Sequence, residues 1–465
     1  MAYRDGPRRG KFTEGSTMGH VVTMTLTAAT GLMFMFLIDA ATLFWVSQLR
    51  DETLMAALGF AWTIQFFIIG SGIGLAIATS ALVSRSIGEG NHQQARRQAT
   101  SSIIIAMAVQ AVVVAVVLIW LRPLLSLAGA QGETLDVAAR FLWITLPSTP
   151  LMALGMVGGG VLRALGDAWR AMSVTIGAGL VAMVLDPVLI FTLGLGMDGA
   201  AIAMVIARFC LAGLVMYFMV RTHDMLGAVT RDQLTGIARP FFAIAAPATL
   251  TQMSTPFGNA LLTALVAGFG DGAVAGWAVV TRLTVLAFGG VFALSGAIGG
   301  ILGQNYGAGL MMRVRCVYRD AVVFCAAYTV LAWGALYLSR DLVVGVFNLG
   351  PEGAEVVAAF VGLAAGGFIF TGALFVANAA FNTLGRPLWS TMFNWSRDAF
   401  FMLPLAWALS LPLGAAGVIY GQALAGVVVG GAAAWVGWRF VQHLAPPVRA
   451  SAAVAPPPGA KLPAE

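Results

Sequence analysis

Long apolar stretches, separated by short segments rich in charged or turn-forming residues, run through almost the whole chain. Each stretch has the roughly twenty residues that a helix needs to cross a bilayer. We therefore predict an all-α polytopic membrane protein with about twelve transmembrane helices. In chain order these helices, α1 to α12, are predicted over residues 18–47, 53–83, 99–121, 135–161, 171–195, 198–220, 238–268, 272–302, 318–339, 354–383, 388–412 and 414–440.

The composition agrees with this class. Charged residues make up 10% of the chain and hydrophobic residues 59%, whereas a soluble domain carries about a quarter charged residues. The net charge of +6 comes mostly from lysines and arginines in short loops, so we expect no nucleic-acid partner. The cysteines show no metal-ligand or disulfide spacing, and we predict no metal site and no cofactor.

Lysine and arginine are distributed unequally between the two sides of the predicted bundle. With the N-terminus in the cytoplasm, the outer loops hold only Arg50, Arg122, Arg140 and Arg340. The positive-inside rule therefore places both termini in the cytoplasm of a bacterial cell, with the protein in the inner membrane. The predicted parts are an N-terminal segment (1–17), an N-lobe (18–221), a cytoplasmic linker (222–237), a C-lobe (238–441) and a disordered Pro/Ala-rich cytoplasmic tail (442–465).

The two halves share short motifs at a nearly constant offset, which indicates an internal repeat. Gly88 corresponds to Gly307, and Gly166 corresponds to Gly385. Because each half has six helices, the two lobes have the same orientation, and a cavity is expected between them as in two-lobed secondary transporters. The repeat aligns Asp39 with the neighbourhood of Gly258, so we predict that coupling chemistry is confined to the first lobe.

Several segments resemble the multidrug and toxic compound extrusion (MATE) transporters over nearly the whole chain. They include LIDAATLFW around Asp39, LDPVLIFTLGLGMDGAAIA from α5, and NAAFNTLGRP at the end of α10. The likeness is closer to the DinF-like branch than to the NorM-like branch. It implies a drug or cation antiporter with an N-lobe and a C-lobe, coupled to protons or sodium ions.

Ionisable side chains inside a bilayer are costly and usually functional. Those well inside the predicted spans are Asp39, Asp186, Arg208, Arg282, Arg397 and Asp398. We predict that Asp39 and Asp186 carry the coupling proton, because a carboxylate partly removed from water binds a proton more readily; the resemblance implies the same role. The alternative is a permanent ion pair with Arg208, which could also modulate these carboxylates. For Arg397 and Asp398 we expect an ion pair at an inner gate.

The C-lobe offers amide groups and one arginine as candidates for lining a substrate cavity. These candidates are Gln252, Asn259, Arg282, Asn378 and Asn394. They could recognise an anionic or zwitterionic substrate, and the alternative is hydrogen bonding between helices.

We predict a monomeric efflux antiporter, not an enzyme, that exchanges external protons for small, cationic, lipophilic organic compounds. Sodium coupling is less favoured, because Ala182 and Met204 stand where related proteins carry oxygen ligands and hard cations need several oxygens. The alternatives are a sodium-coupled drug antiporter and a flippase for lipid-linked precursors.

Overall fold

The computed structural model describes residues 10–347 and 349–447, which are almost entirely helical. The first nine residues of the predicted N-terminal segment, and the predicted tail from residue 448 onward, lie outside the described residues.

The observed helices confirm an all-α bundle of two six-helix lobes. The N-lobe contains α1 (Thr17–Ser47), α2 (Glu52–Gly88), α3 (His92–Ile119), α4 (Gly132–Ala164), α5 (Ala168–Thr192) and α6 (Gly196–Thr222). The C-lobe contains α7 (Arg231–Ala267), α8 (Asp271–Gly307), α9 (Met311–Leu338), α10 (Pro351–Gly362 with Ala364–Leu384), and α11 and α12 within Pro387–Gln442. Short helices Leu121–Leu127 and Arg340–Val346 follow α3 and α9.

The segment Pro387–Gln442 contains two membrane crossings rather than one. Gly414 has φ 57° and ψ −142°, which no helix can accommodate, so the chain turns there. Glycine adopts this positive φ without the penalty that a Cβ would impose. Residues 387–413 therefore form α11 and residues 415–442 form α12.

Several of the spans contain a turn that is not α-helical. In α4, a 3-10 turn at Leu146–Ser148 lies between two α-helical parts. In α5, a π-helical turn at Val188–Thr192 directly follows Pro187, which lacks the N–H needed to continue α-helical bonding. A similar π-helical turn occurs in α11 at Ser396–Phe401. Such turns are frequent at functional sites.

The two lobes are closed against each other at one end. We call it the basic end, because it is the end at which α2, α4, α8 and α10 finish and where most loop arginines lie. Close approach depends on small residues: a Cβ on Gly300 would lie 2.9 Å from the carbonyl oxygen of Arg163. Arg85 donates hydrogen bonds from Nε (2.6 Å) and Nη2 to the carbonyl oxygen of Thr383 in the other lobe. Within the described ranges, every hydrogen bond between α1–α6 and α7–α12 lies at this end.

A segment preceding α1, including the 3-10 turn Lys11–Thr13, is held between the lobes at the basic end. Lys11 Nζ donates to the carbonyl oxygen of Gly166 in the N-lobe (2.8 Å). Phe12 N donates to Gln304 Oε1 in the C-lobe (2.9 Å), and Arg313 Nη2 donates to the carbonyl oxygen of Phe12 (3.0 Å). The Phe12 ring is 1% exposed. This segment therefore links the two lobes.

Replacing Phe12 with alanine should destabilise the closed basic end. Removing a fully buried phenylalanine ring typically costs about 3–5 kcal/mol. We expect a clear fall in the thermal unfolding temperature of the purified protein, together with faster hydrogen exchange at the ends of α8 and α4. Phe400→Ala is the control, since that ring is 72% exposed. Equal effects of the two substitutions would show that the segment does not link the lobes.

Asp167 begins α5, just outside the membrane-spanning part. Its Oδ1 accepts from Arg170 N (3.1 Å), its Oδ2 pairs with Arg170 Nη1, and His223 Nε2 lies 2.8 Å from Oδ2. Burial alone would raise the pKa of this carboxyl, but the bonds from Arg170 and His223 outweigh it and hold the pKa below its ordinary value of 3.8. The ionised form is therefore the one that the folded protein favours.

The stabilisation from Asp167 should depend on pH in a defined direction. A group with a lowered folded-state pKa contributes fully above its unfolded value of 3.8 and loses that contribution as pH falls through the lower folded value. Asp167→Asn keeps a capping oxygen but removes the charge. We expect the variant to unfold at a lower temperature at pH 7, and the difference to shrink below pH 3.8. A difference that grows on acidification would contradict this assignment.

Candidate functional site

The two predicted proton carriers lie on neighbouring helices of the N-lobe. Asp186 is 1% exposed, and its Oδ2 accepts a hydrogen bond from Thr42 Oγ1 at 2.5 Å, which joins α5 to α1. Asp39 lies one turn before Thr42 on α1 and is half-buried. No hydrogen bond or ion pair joins Asp39 to any other residue that the structure describes.

The close contact of α1 with α5 depends on a glycine. A Cβ on Gly179 of α5 would overlap the side chain of Ile38, which is adjacent to Asp39. The absence of that atom lets α5 approach α1 closely enough for the Thr42 hydroxyl to reach Asp186. The carboxylates are thus positioned by backbone proximity and one neutral hydroxyl.

Arg208 is held by neutral oxygens. Its Nη1 donates to the carbonyl oxygen of Thr145 (2.6 Å) and to Ser148 Oγ (3.0 Å), and its Nη2 donates to Gln65 Oε1 (2.9 Å). The alternative of an ion pair with Asp39 or Asp186 is therefore wrong for this conformation. The guanidinium instead joins α6 to α2 and α4.

The 3-10 turn of α4 explains why Arg208 finds an acceptor. Thr149 N donates to the carbonyl oxygen of Leu146 rather than to that of Thr145. The carbonyl of Thr145 consequently lacks its usual α-helical partner and accepts from Arg208. Ser148 Oγ also donates to this carbonyl (2.7 Å), so a hydroxyl and a buried guanidinium together replace the missing backbone donor.

Arg397 and Asp398 form a buried ion pair in α11, as we expected from two adjacent residues of opposite charge. Arg397 Nε lies 2.6 Å from Asp398 Oδ1, and Nη2 lies 2.9 Å from Oδ2. Thr255 of α7 and the ring of Phe375 in α10, 6.0 Å from Arg397 Cζ, complete the surroundings. The pair lies ten residues from the start of α11, or about 15 Å along the helix. The ion pair itself is observed, and its assignment to an inner gate stays a prediction.

Two of the predicted cavity amides bond to each other inside the C-lobe. Asn394 Nδ2 donates to Asn378 Oδ1 (3.0 Å) and to the carbonyl oxygen of Ser390 (2.7 Å). Asn378 and Asn394 are both buried. Their arrangement is hydrogen bonding between α10 and α11, the alternative that the sequence left open.

Arg282 is exposed on α8, and no described residue pairs with it. Leu286, one turn further along the same face, is 57% exposed. Beyond a kink at Phe288 (φ −108°, ψ 17°), Gly289 contacts α1: a Cβ there would lie 3.4 Å from Met33 Cγ. The part of α8 before the kink, away from the basic end, therefore has an uncovered face that carries Arg282.

Gln252 and Asn259 lie on α7 and are half-buried, with no side-chain hydrogen bond to any described residue. A Cβ on Gly70 of α2 would lie 3.8 Å from the Cβ of Gln252, so this side chain is where the lobes meet. Of the predicted site residues, Asp39, Arg282, Gln252 and Asn259 therefore have no hydrogen-bonded partner among the described residues.

Sequence reasoning missed the neutral partners that define the N-lobe site. Thr42, Gln65 and Ser148 each bond to a charged group but carry no charge themselves. Gln65 offered a signal, because it is an amide within the otherwise apolar run WTIQFF of α2. Thr42 and Ser148 offered none, since hydroxyls commonly bond to their own helix.

A family model described as MatE matches the chain twice, over residues 28–188 and 247–408. The matches begin 219 positions apart, which is also the offset between Gly166 and Gly385. Each match falls in one lobe, which agrees with the internal repeat.

Individual relatives are similar over nearly the whole chain. The FAD transporter of Shewanella oneidensis is 28% identical over 93% of this chain and 96% of its own length. The multidrug export protein MepA of Staphylococcus aureus is 21% identical, covering 85% of this chain and 88% of that protein. The crystal structure of a mutant of the MATE transporter VcmN from Vibrio cholerae superposes with a TM-score of 0.87 at 25% identity, covering 91% of this chain and 96% of that one. The assignment to the DinF-like branch stays a prediction.

Proposed function

The chain belongs to the MatE family, and on that premise we propose that it is a proton-coupled efflux antiporter for small organic compounds in a bacterial inner membrane. The observation that carries the proposal is that the two N-lobe carboxylates have no positively charged partner among the described residues. Asp39 has no partner among the described residues, and Asp186 is bonded only by the Thr42 hydroxyl.

An ionised carboxylate without a counter-charge is unfavourable at membrane depth, and a bound proton removes that cost. Arg208 does not supply the counter-charge, because its donors are engaged by Thr145, Ser148 and Gln65. Proton binding would change the hydrogen bond between α1 and α5. A ligand shifts a conformational equilibrium only through such a difference between states.

The direction of transport follows from the basic end. If that end is cytoplasmic, as the positive-inside rule indicates, the lobes are closed towards the cytoplasm, and the uncovered face of α8 that carries Arg282 lies on the outer side. External protons would then reach Asp39, and substrate would leave. We further propose that the protein acts as a monomer with both termini in the cytoplasm.

The alternatives are supported less well. A sodium ion needs several oxygen ligands, and Ala182 and Met204 stand where related proteins carry such ligands. A flippase for lipid-linked precursors needs a strongly cationic cavity for pyrophosphate. Of the three arginines predicted well inside the spans, Arg208 is bound to neutral oxygens and Arg397 to Asp398. Arg282 alone of these three has no described partner, and one guanidinium makes a weak site for a pyrophosphate.

A second substrate class is supported by Arg282. An exposed guanidinium on an uncovered face of a membrane-spanning helix favours a compound with an anionic group. A relative with 28% identity is named for the transport of FAD, whose pyrophosphate is anionic. We propose flavin dinucleotides as the second candidate substrates, beside lipophilic cations.

Asp39→Asn should abolish proton-driven transport. The amide is the same size but binds no proton in this range, so a pH gradient imposed on proteoliposomes should move substrate no faster than in protein-free vesicles. Thermal unfolding should stay close to that of the wild type. The matched control is Asp136→Asn, because Asp136 forms an exposed pair with Arg122 outside the site.

The same vesicles separate proton from sodium coupling. A sodium gradient without a pH gradient should leave transport by the wild type unchanged. Acceleration by sodium alone, or full proton-driven transport by Asp39→Asn, would overturn the coupling assignment.

Arg282→Gln should separate the two substrate classes. We expect transport of FAD to fall about ten-fold, the effect of losing one hydrogen bond to a charged group, while transport of a cationic dye is unchanged or rises. Arg282→Lys keeps the charge and should retain most FAD transport. If both compounds are affected equally, Arg282 does not select substrate.

A further inference from the structure

The C-lobe contains a carboxylate close to the position that corresponds to Asp39. With the repeat offset of 219 positions, Asp39 corresponds to Gly258 of α7. A Cβ built on Gly258 would lie 3.0 Å from the Cβ and 3.4 Å from the Cγ of Asp398. Asp398 therefore occupies the space beside the missing side chain, although it comes from α11 rather than α7.

At the aligned position of the fifth helix in each lobe, the carboxylate is in the C-lobe and the glycine is in the N-lobe. By the same offset, Asp398 corresponds to Gly179 of α5. Gly179 packs against Ile38, next to Asp39. At this level each lobe has one glycine and one carboxylate where its first and fifth helices meet, with the two roles exchanged. The aligned position on α7 carries no carboxylate, and the one that lies beside it comes from α11.

The two carboxylates differ in their partners. Asp39 is half-buried without a partner in the described residues, whereas Asp398 is buried and bound by Arg397 through Nε and Nη2. Arg397 corresponds to Ala178, so the N-lobe has no equivalent cation. The other charged residues of α7, α11 and α12, which are Arg231, Asp232, Arg239 and Arg439, lie near the basic end.

We propose that Asp398 is a second, latent proton-binding site, which Arg397 keeps ionised and so excludes from coupling. A cation in contact with a carboxylate favours its charged form. Arg397 is thus a positioning residue that restricts proton exchange to the N-lobe. This proposal rests on the proposed proton coupling, but whether Asp398 binds a proton can be measured independently of transport.

Infrared difference spectroscopy tests the proposal, since a protonated carboxyl has a C=O stretching band that a carboxylate lacks. The background is Asp39→Asn with Asp186→Asn, which removes the N-lobe signals. With Arg397 intact, we expect no pH-dependent carboxyl band from Asp398. Arg397→Met in this background should add one pH-dependent carboxyl per protein, and Asp398→Asn should remove it.

Arg397→Lys is the matched control, because it keeps a cation and should add no band. If Arg397→Met does not fold, Arg397→Gln keeps hydrogen-bond donors without the charge. A folded Arg397→Met or Arg397→Gln protein without a new band would overturn the proposal, as would a band from Asp398 with Arg397 intact. Failure of proton coupling itself is distinguished by the wild type, in which Asp39 and Asp186 would then give no band.

Discussion

A charge inside a bilayer must be compensated by groups of the protein, because no water is available there to solvate it. In the N-lobe, Arg208 meets this requirement with a backbone carbonyl, a hydroxyl and an amide from two other helices. The interruption of α4 at Leu146–Ser148 supplies that carbonyl, so a local break in one helix and a buried cation on another depend on each other. Asp39 is left without such compensation among the described residues, which is why we propose it as the proton-binding group of the lobe.

The fold was largely predictable, because hydropathy reports directly on the length of apolar chain. The differences lie at helix ends. We predicted α3 from residue 99 and α7 from residue 238, whereas they begin at His92 and Arg231. Polar caps start these helices outside the apolar run: Asn91 accepts from Gln94 N, and Thr230 forms a capping box with Gln233. Hydropathy detects only the part of a helix that lies in the membrane.

The site was predictable only in part, and the reason is geometric. A charged residue stands out in an apolar run, so the sequence predicts Asp39, Asp186 and Arg208 as site residues. Similar depth along parallel helices suggested that they pair, but depth does not tell which way a side chain faces. Arg208 points to α2 and α4 because the acceptors there are neutral groups, Gln65 and Thr145, that the sequence does not distinguish from many others.

Helix α1 is the element through which the N-lobe site can affect the contact between the lobes. It carries Asp39 and Thr42, and its first residue, Thr17, donates to Asp320 Oδ2 of α9 at 2.5 Å. Met33, between these positions, contacts Gly289 of α8. The bonds that close the basic end otherwise join arginine, lysine and amide donors to carbonyl oxygens. None of these bonds involves Asp39 or Asp186, so in the proposed coupling a proton bound by either carboxylate would act on the closed end through α1, which carries Asp39, Thr42 and Thr17.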